Sequence, residues 1–258
     1  MRVKQKSNYN IITIHVKTEF NLEKTKIIAM GMLFLFFGIT SVLSQLFLPE
    51  ILELSDLQVI NLPEPTITQI LYDFWGDIGL ISLIVILYSA STFSSEFGTA
   101  KNGYFYLSRP ISPRTYFMTR FLIRVIGIII MFTVSSVITV LYATLFYDSL
   151  DMKRVFIASL LMALVLGTIS SFVIMMTTKF SNAISGVSGI LLLFIQYLVG
   201  LVESLKWFSP FVLSNIWPSL LIGSVDTIEL ILHFIVLCLW IGVPCLLGWY
   251  YYGIKDLI

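Results

Sequence analysis

Charge is what this sequence has least of. Asp, Glu, Lys and Arg make up 12% of its 258 residues, about half the share in an ordinary soluble domain. A water-solvated surface of normal composition is therefore excluded. Cysteine and histidine are nearly absent, at two each, and neither His15 nor His233 has a second ligand at metal-binding spacing, so no metal is expected. Cys238 and Cys245 stand seven apart on one predicted helix, about 10 Å by helical rise, beyond the roughly 7 Å that a disulfide spans. They read as packing residues.

Catalytic signatures are missing as well. The chain has no G-x-x-x-x-G-K-[ST] phosphate loop, no H-E-x-x-H, no G-x-S-x-G and no G-x-G-x-x-G. Gly98-Thr99-Ala100-Lys101-Asn102-Gly103 has glycines and a lysine, but in the wrong order to cradle phosphate. The chain is not expected to be an enzyme, to hold a cofactor of its own or to bind nucleic acid.

What is present is apolar. Hydrophobic residues make 57% of the chain, with 20 Phe and 12 Tyr, and lipid accepts such side chains on an outer face where water does not. Uncharged runs cover 27–49, 78–95, 125–147, 155–178, 180–202 and 230–254. About 20 mostly apolar residues cross a bilayer, and backbone groups without water must bond within a helix. The expectation is an all-α polytopic membrane protein of six transmembrane helices, forming a single domain over 1–258. The second run is short and gains length from Phe74 and Trp75. The first lacks a cleavage pattern and reads as a permanent span rather than a signal peptide.

If the N-terminus is cytoplasmic, every Lys and Arg except Lys153, Arg154 and Lys206 falls inside, while the only inside acids are Glu19, Glu23, Glu96 and Asp256. The positive-inside rule then places both termini in the cytoplasm of a cell-membrane protein.

Three connecting segments carry more information than the rest. Residues 1–26 set Tyr9, Ile12, Val16 and Phe20 on one helical stripe, as in a helix lying on the inner membrane surface, although Ile12, Ile14 and Val16 also alternate as in a strand. Residues 203–229 are apolar but cut by Pro210 and Pro218, which predicts short re-entrant or interfacial helices on the outer side. Glu229 and His233, four apart near the outer boundary, read as an interfacial polar pair that ends the helix or as a functional site. The loop 94–116 is longer than chain reversal requires. It holds a helix-sized piece, Phe97 to Leu107, a stop at Ser108-Arg109-Pro110, and then Ser112-Pro113 as N-cap and first helical position.

In that loop Glu96, Gly98-Thr99 and Leu107-Ser108-Arg109-Pro110-Ile111-Ser112 resemble the E-x-G-T and L-S-R-P-I-S signature of ABC-2 type transporter permeases. Ser209-Pro210-Phe211 and the ending Tyr252-Gly253-Ile254-Lys255-Asp256-Leu257 add weaker likeness, whereas Tyr106-Leu107 departs from the usual Leu-Leu. The resemblance implies a permease subunit that pairs with a second permease copy, the same or different, and with two copies of a separate ABC ATPase. ATP and Mg would be used by that partner. It further implies that 94–116 contains a coupling helix, that 1–26 is a connecting helix touching the same partner, and that Glu96, Gly98, Thr99, Arg109 and Pro110 are coupling residues. By family habit the direction is export. The first and fifth spans would line the path, with Ser185 and Gly189 at small-x-x-x-small spacing as a dimer interface or an internal packing site, and Gln196 as a polar position on the path. A secondary transporter would call for internal repeats and broken spans; a non-transporting membrane assembly subunit is the other alternative.

Overall fold

The computed structural model describes residues 2–54, 66–76, 78–93, 111–148, 150–210 and 216–254. Its elements are helices α1 (Arg2–Leu54), α2 (Ile67–Gly76), α3 (Ile78–Ala90), α4 (Pro113–Ala143), α5 (Met152–Thr177), α6 (Asn182–Leu201), α7 (Trp217–Ile222) and α8 (Thr227–Ile254), with one 3-10 turn at Lys206–Phe208. The described residues contain no strand. Among the described residues five helices, α1, α4, α5, α6 and α8, are long and apolar enough to cross a membrane.

The expected second span is divided. Its two parts, α2 and α3, meet at a bend of 43° and count as one further span only if taken together. α2 ends at Gly76, a residue without a Cβ that weakens a helix interior.

The membrane-surface helix expected at 1–26 is not a separate element. No break falls between 26 and 27, because the segment lacks Pro and Gly until Gly31, and α1 runs on as one helix of 53 residues. At 1.5 Å per residue it is about 80 Å long, far more than the roughly 30 Å of a hydrocarbon core. The apolar stripe is real: Ile12, Val16 and Phe20 face outward. The opposite stripe, His15, Glu19 and Glu23, is buried against the bundle.

Start signals did hold for α4. Ser112 is its N-cap, its hydroxyl oxygen accepting from the Thr115 N–H, and Pro113 opens the first turn. Before α8 lies the short helix α7, with Pro218 in its first turn and Gly223 as a left-handed C-cap at φ 85°. Only glycine adopts that conformation without strain.

The core is organised around α5. In its most apolar stretch 83% of residues are buried, against 22% in α6 and 17% in α8, so α5 is the central helix and α6 and α8 are peripheral. It contacts α3, α4, α6, α7 and α8, while α1 packs along α4. Apolar burial does not drive helices together in lipid, so small residues and interhelical hydrogen bonds must do so. Ser135 Oγ donates to the Gly31 carbonyl at 3.0 Å, tying α4 to α1. Ser89 and Ser170 share a bond of 2.8 Å between α3 and α5, and Trp75 Nε1 donates to Ser136 Oγ at 3.3 Å between α2 and α4. At Gly38 a Cβ would overlap the Thr139 hydroxyl, so the Thr139 side chain packs directly against the bare backbone of α1 there.

Candidate functional site

Helices α1 and α4 run parallel, with residues roughly a hundred apart meeting along the whole seam. Ser135 meets Gly31, and Gly38 meets Thr139. At the end of the same seam lie two ion pairs: Glu19 with Arg120, and Glu23 with Arg124. Spacing of four on both helices stacks the members of each pair one turn apart.

The junction is built to hold charge without water. Arg120 Nε donates to Glu19 Oε2 at 2.8 Å, and Arg124 Nη2 donates to Glu23 Oε1 at 2.8 Å. Side-chain exposure is 8% and 0% for the first pair and 1% and 4% for the second. Burying ions costs several kcal/mol each unless remaining hydrogen-bond groups are met. Here the end of α3 and the turn that follows it supply most of them. Arg124 Nη1 donates to the Tyr88 carbonyl at 2.8 Å, to Thr92 Oγ1 at 2.9 Å and to Ser91 Oγ at 3.2 Å, and Arg120 Nη1 donates to the Thr92 carbonyl at 3.0 Å. These acceptors lie in the last turn of α3 and the turn after it. Helix ends leave carbonyls without partners, and the negative end of the macrodipole favours cations. The arginines therefore satisfy the end of α3 with the same groups that bind α1.

Aromatic rings complete the enclosure. The Arg124 guanidinium lies 4.7 Å from the Tyr88 ring centre and that of Arg120 4.8 Å from Tyr116, contacts that add cation–π attraction in a dry setting. Tyr88 also donates its hydroxyl to Glu23 at 3.4 Å, and Lys26 reaches the same carboxylate at 3.2 Å. Phe93, Tyr116, Phe117 and Tyr252 form a ring cluster that brings the end of α8 to the junction.

Three chain segments thus meet at one charged point: α1, α4 and the residues 88–93 from which the loop 94–110 departs. From Arg124 to the far end of α4 at Ala143 is about 28 Å by helical rise, close to the hydrocarbon thickness. The part of α4 beyond the junction is therefore long enough by itself to cross the hydrocarbon core.

Of the residues singled out in the sequence, Glu96, Gly98, Thr99, Arg109 and Pro110 lie outside the described residues. Ser185, Gly189 and Gln196 share the buried stripe of α6. A Cβ on Gly189 would stand 2.6 Å from Val173 Cγ2 and 3.1 Å from Ile86 Cγ1, so its close approach is to α5 and α3 of the same chain. Gln196 is buried with neither side-chain amide atom hydrogen-bonded, and its backbone carbonyl accepts from Ser209 Oγ at 2.8 Å. His233 bonds the Glu229 carbonyl rather than its carboxylate and lies beside Trp207. Both cysteines are free, Cys245 being 3.6 Å from the Met118 sulfur. No cluster of three metal-ligating side chains occurs among the described residues.

The four charges of the junction count in the sequence only as loop and boundary residues. Their signal was the matched spacing, Glu19 and Glu23 against Arg120 and Arg124, on two segments that the run lengths alone placed outside the spans.

The fold and this site define a multi-pass helical membrane protein whose buried charge is concentrated at one end. Comparison with protein-family models, with curated proteins and with solved structures finds no match.

Proposed function

We propose that the chain is the permease subunit of an ABC-2 type transporter, an exporter in which a second permease copy and two separate ATPase subunits complete the machine. In this reading both termini and the loop 94–116 face the cytoplasm of the cell membrane. Glu96, Gly98, Thr99, Arg109 and Pro110 contact the ATPase. The observation that carries it is the junction. A loop that docks on a motor protein moves membrane helices only if its base is rigidly tied to them, and Arg120 and Arg124 tie residues 88–92 to both α1 and α4. Motion applied to the loop would then reach α1 over its whole length.

Linkage sets the requirement. ATP shifts the membrane helices only by as much as the closed ATPase pair differs in interaction free energy with their two arrangements. The signature-bearing loop is where such a difference would be applied.

Purification of the full chain from its native membrane in mild detergent tests the reading. A soluble protein carrying G-x-x-x-x-G-K-[ST] is expected to co-purify and to hydrolyse ATP, while the chain stripped of it does neither. Glu96→Ala and Arg109→Ala should weaken that association or the hydrolysis, and Lys153→Ala should change neither. Recovery of an intact complex with no such ATPase would favour an assembly subunit and end the proposal.

A further inference from the structure

Helix α8 is continuous in its course but interrupted in its bonding. Pro244 lies inside it and is buried against the bundle. Its nitrogen carries no hydrogen to give the Trp240 carbonyl, and its ring crowds that carbonyl, so the helix is weakest from 240 to 244. Gly242 falls in the same turn. A Cβ there would meet nothing within 4 Å, so this glycine makes room for no neighbour and adds only backbone freedom.

The two sides of this turn are fastened to different parts of the molecule. Before it, Leu237 belongs to the main core around α5, Trp240 Nε1 donates to the Phe208 carbonyl at 2.8 Å, and His233 lies 5.5 Å from the Trp207 ring. After it, Gly248 is pressed on Phe117, whose ring a Cβ would approach to 2.3 Å. The Arg114 guanidinium lies 4.5 Å over Trp249, and Tyr252 packs 5.2 Å from Phe93. Phe93, Phe117 and Tyr252 belong to the second hydrophobic cluster, the one at the junction. The weak turn thus falls at the border between the two clusters. By contrast α4 runs through both, with no proline beyond its first position.

We propose that α8 is a hinged helix. Residues 245–254 follow the first turns of α4, residues 227–240 stay with the core and the 3-10 turn, and 241–244 absorb the difference. A tilt of the unbroken helix α4 then bends α8 instead of tearing Tyr252 from its ring cluster or Trp240 from Phe208. Hinges work in this way, a few residues taking up the φ/ψ change while the parts on either side keep their packing. The hinge goes beyond the transport reading and rests on α8 and its anchors, whether or not an ATPase docks on the loop.

Pulsed dipolar distance measurement between nitroxides tests it in the full chain carrying Cys238→Ala and Cys245→Ala. One label is attached through Val187→Cys on α6, the other through Tyr250→Cys beyond the hinge or Ile235→Cys before it, all three positions being exposed. From 244 to 250 is about 9 Å of helix, so a swing of about 20° displaces that end by roughly 3 Å. The 187–250 distances are expected to spread more widely than the 187–235 distances by about that amount. Pro244→Ala, which restores the bond to Trp240, should narrow the 187–250 spread to match the other pair. Gly242→Ala, which meets no neighbour, should narrow it in part. Equal spreads for the two pairs in the chain that keeps Pro244 would overturn the proposal, because α8 would then hold one fixed shape. A wide 187–250 spread left unchanged by Pro244→Ala would overturn it equally, since the movement would then lie elsewhere.

Discussion

The two ends of the bundle hold charge in opposite ways. At the junction Glu23 and Arg124 are almost wholly enclosed, 2.8 Å apart, and share Tyr88 of α3, which accepts from Arg124 through its carbonyl and donates to Glu23 through its hydroxyl. At the other end Asp151 and Arg154 are about half exposed and 3.4 Å apart. Arg154 there turns to the carbonyls of Leu221 and Ile222 and caps α7. An exposed pair is screened and contributes little. An enclosed one is costly to assemble but, once assembled, fixes which groups must stay together. The difference says that the bundle invests its desolvation cost where the long loop leaves, and leaves the opposite end to local capping.

Breaking the enclosed side should have the largest effect. Arg124→Ala leaves the Glu23 carboxylate buried with only Tyr88 and the half-exposed Lys26 as partners and removes one of the donors at the end of α3. A loss of about 3–5 kcal/mol is expected for such an orphaned charge, read as a large fall in thermal midpoint in detergent. A midpoint equal to that of the unaltered chain would mean that the junction is hydrated in solution.

The seam that leads away from the junction comes next. Gly38→Leu forces a side chain into the Thr139 hydroxyl, and overpacking of this kind costs about 1–3 kcal/mol. It should also part α1 from α4 locally, seen as faster amide exchange around Gly31, whose carbonyl accepts from Ser135.

Arg154→Ala sharpens the comparison from the exposed side. Its pair is half in solvent, so a global effect under about 1 kcal/mol is expected. What should change is exchange protection at Trp217–Ile222, the helix whose carbonyls it caps. A global loss as large as that of Arg124→Ala would erase the distinction between the two ends.

How much of this was legible in the sequence depends on which physical signal each feature leaves. Long uncharged runs foretold α4, α5, α6 and α8, because in lipid an apolar run has no structure open to it but a helix. The Ser112-Pro113 start was legible for the same kind of reason, a local rule with one solution. The division of α2 from α3 and the fusion of residues 2–26 with the first span were not. Local sequence permits both, through Gly76 in one and the lack of Pro and Gly before Gly31 in the other. But what holds the N-terminal part of α1 against the bundle is the pairing of its acidic stripe with Arg120 and Arg124, a hundred residues away. The glycine at 189 shows the limit from the other side. Its spacing announced a close helix approach, and only the fold shows that α3 and α5 make it.

The enclosed junction is tested most directly by the thermal midpoints of four chains: unaltered, Glu23→Gln, Arg124→Gln, and the two together. If the pair is the dry contact described, each single variant destabilises strongly. The double variant should then be more stable than the sum of the two losses implies, by a coupling of about 2 kcal/mol or more. Strictly additive losses would show that Glu23 and Arg124 do not depend on each other. The tie between α1, α4 and the base of the loop would then be contradicted.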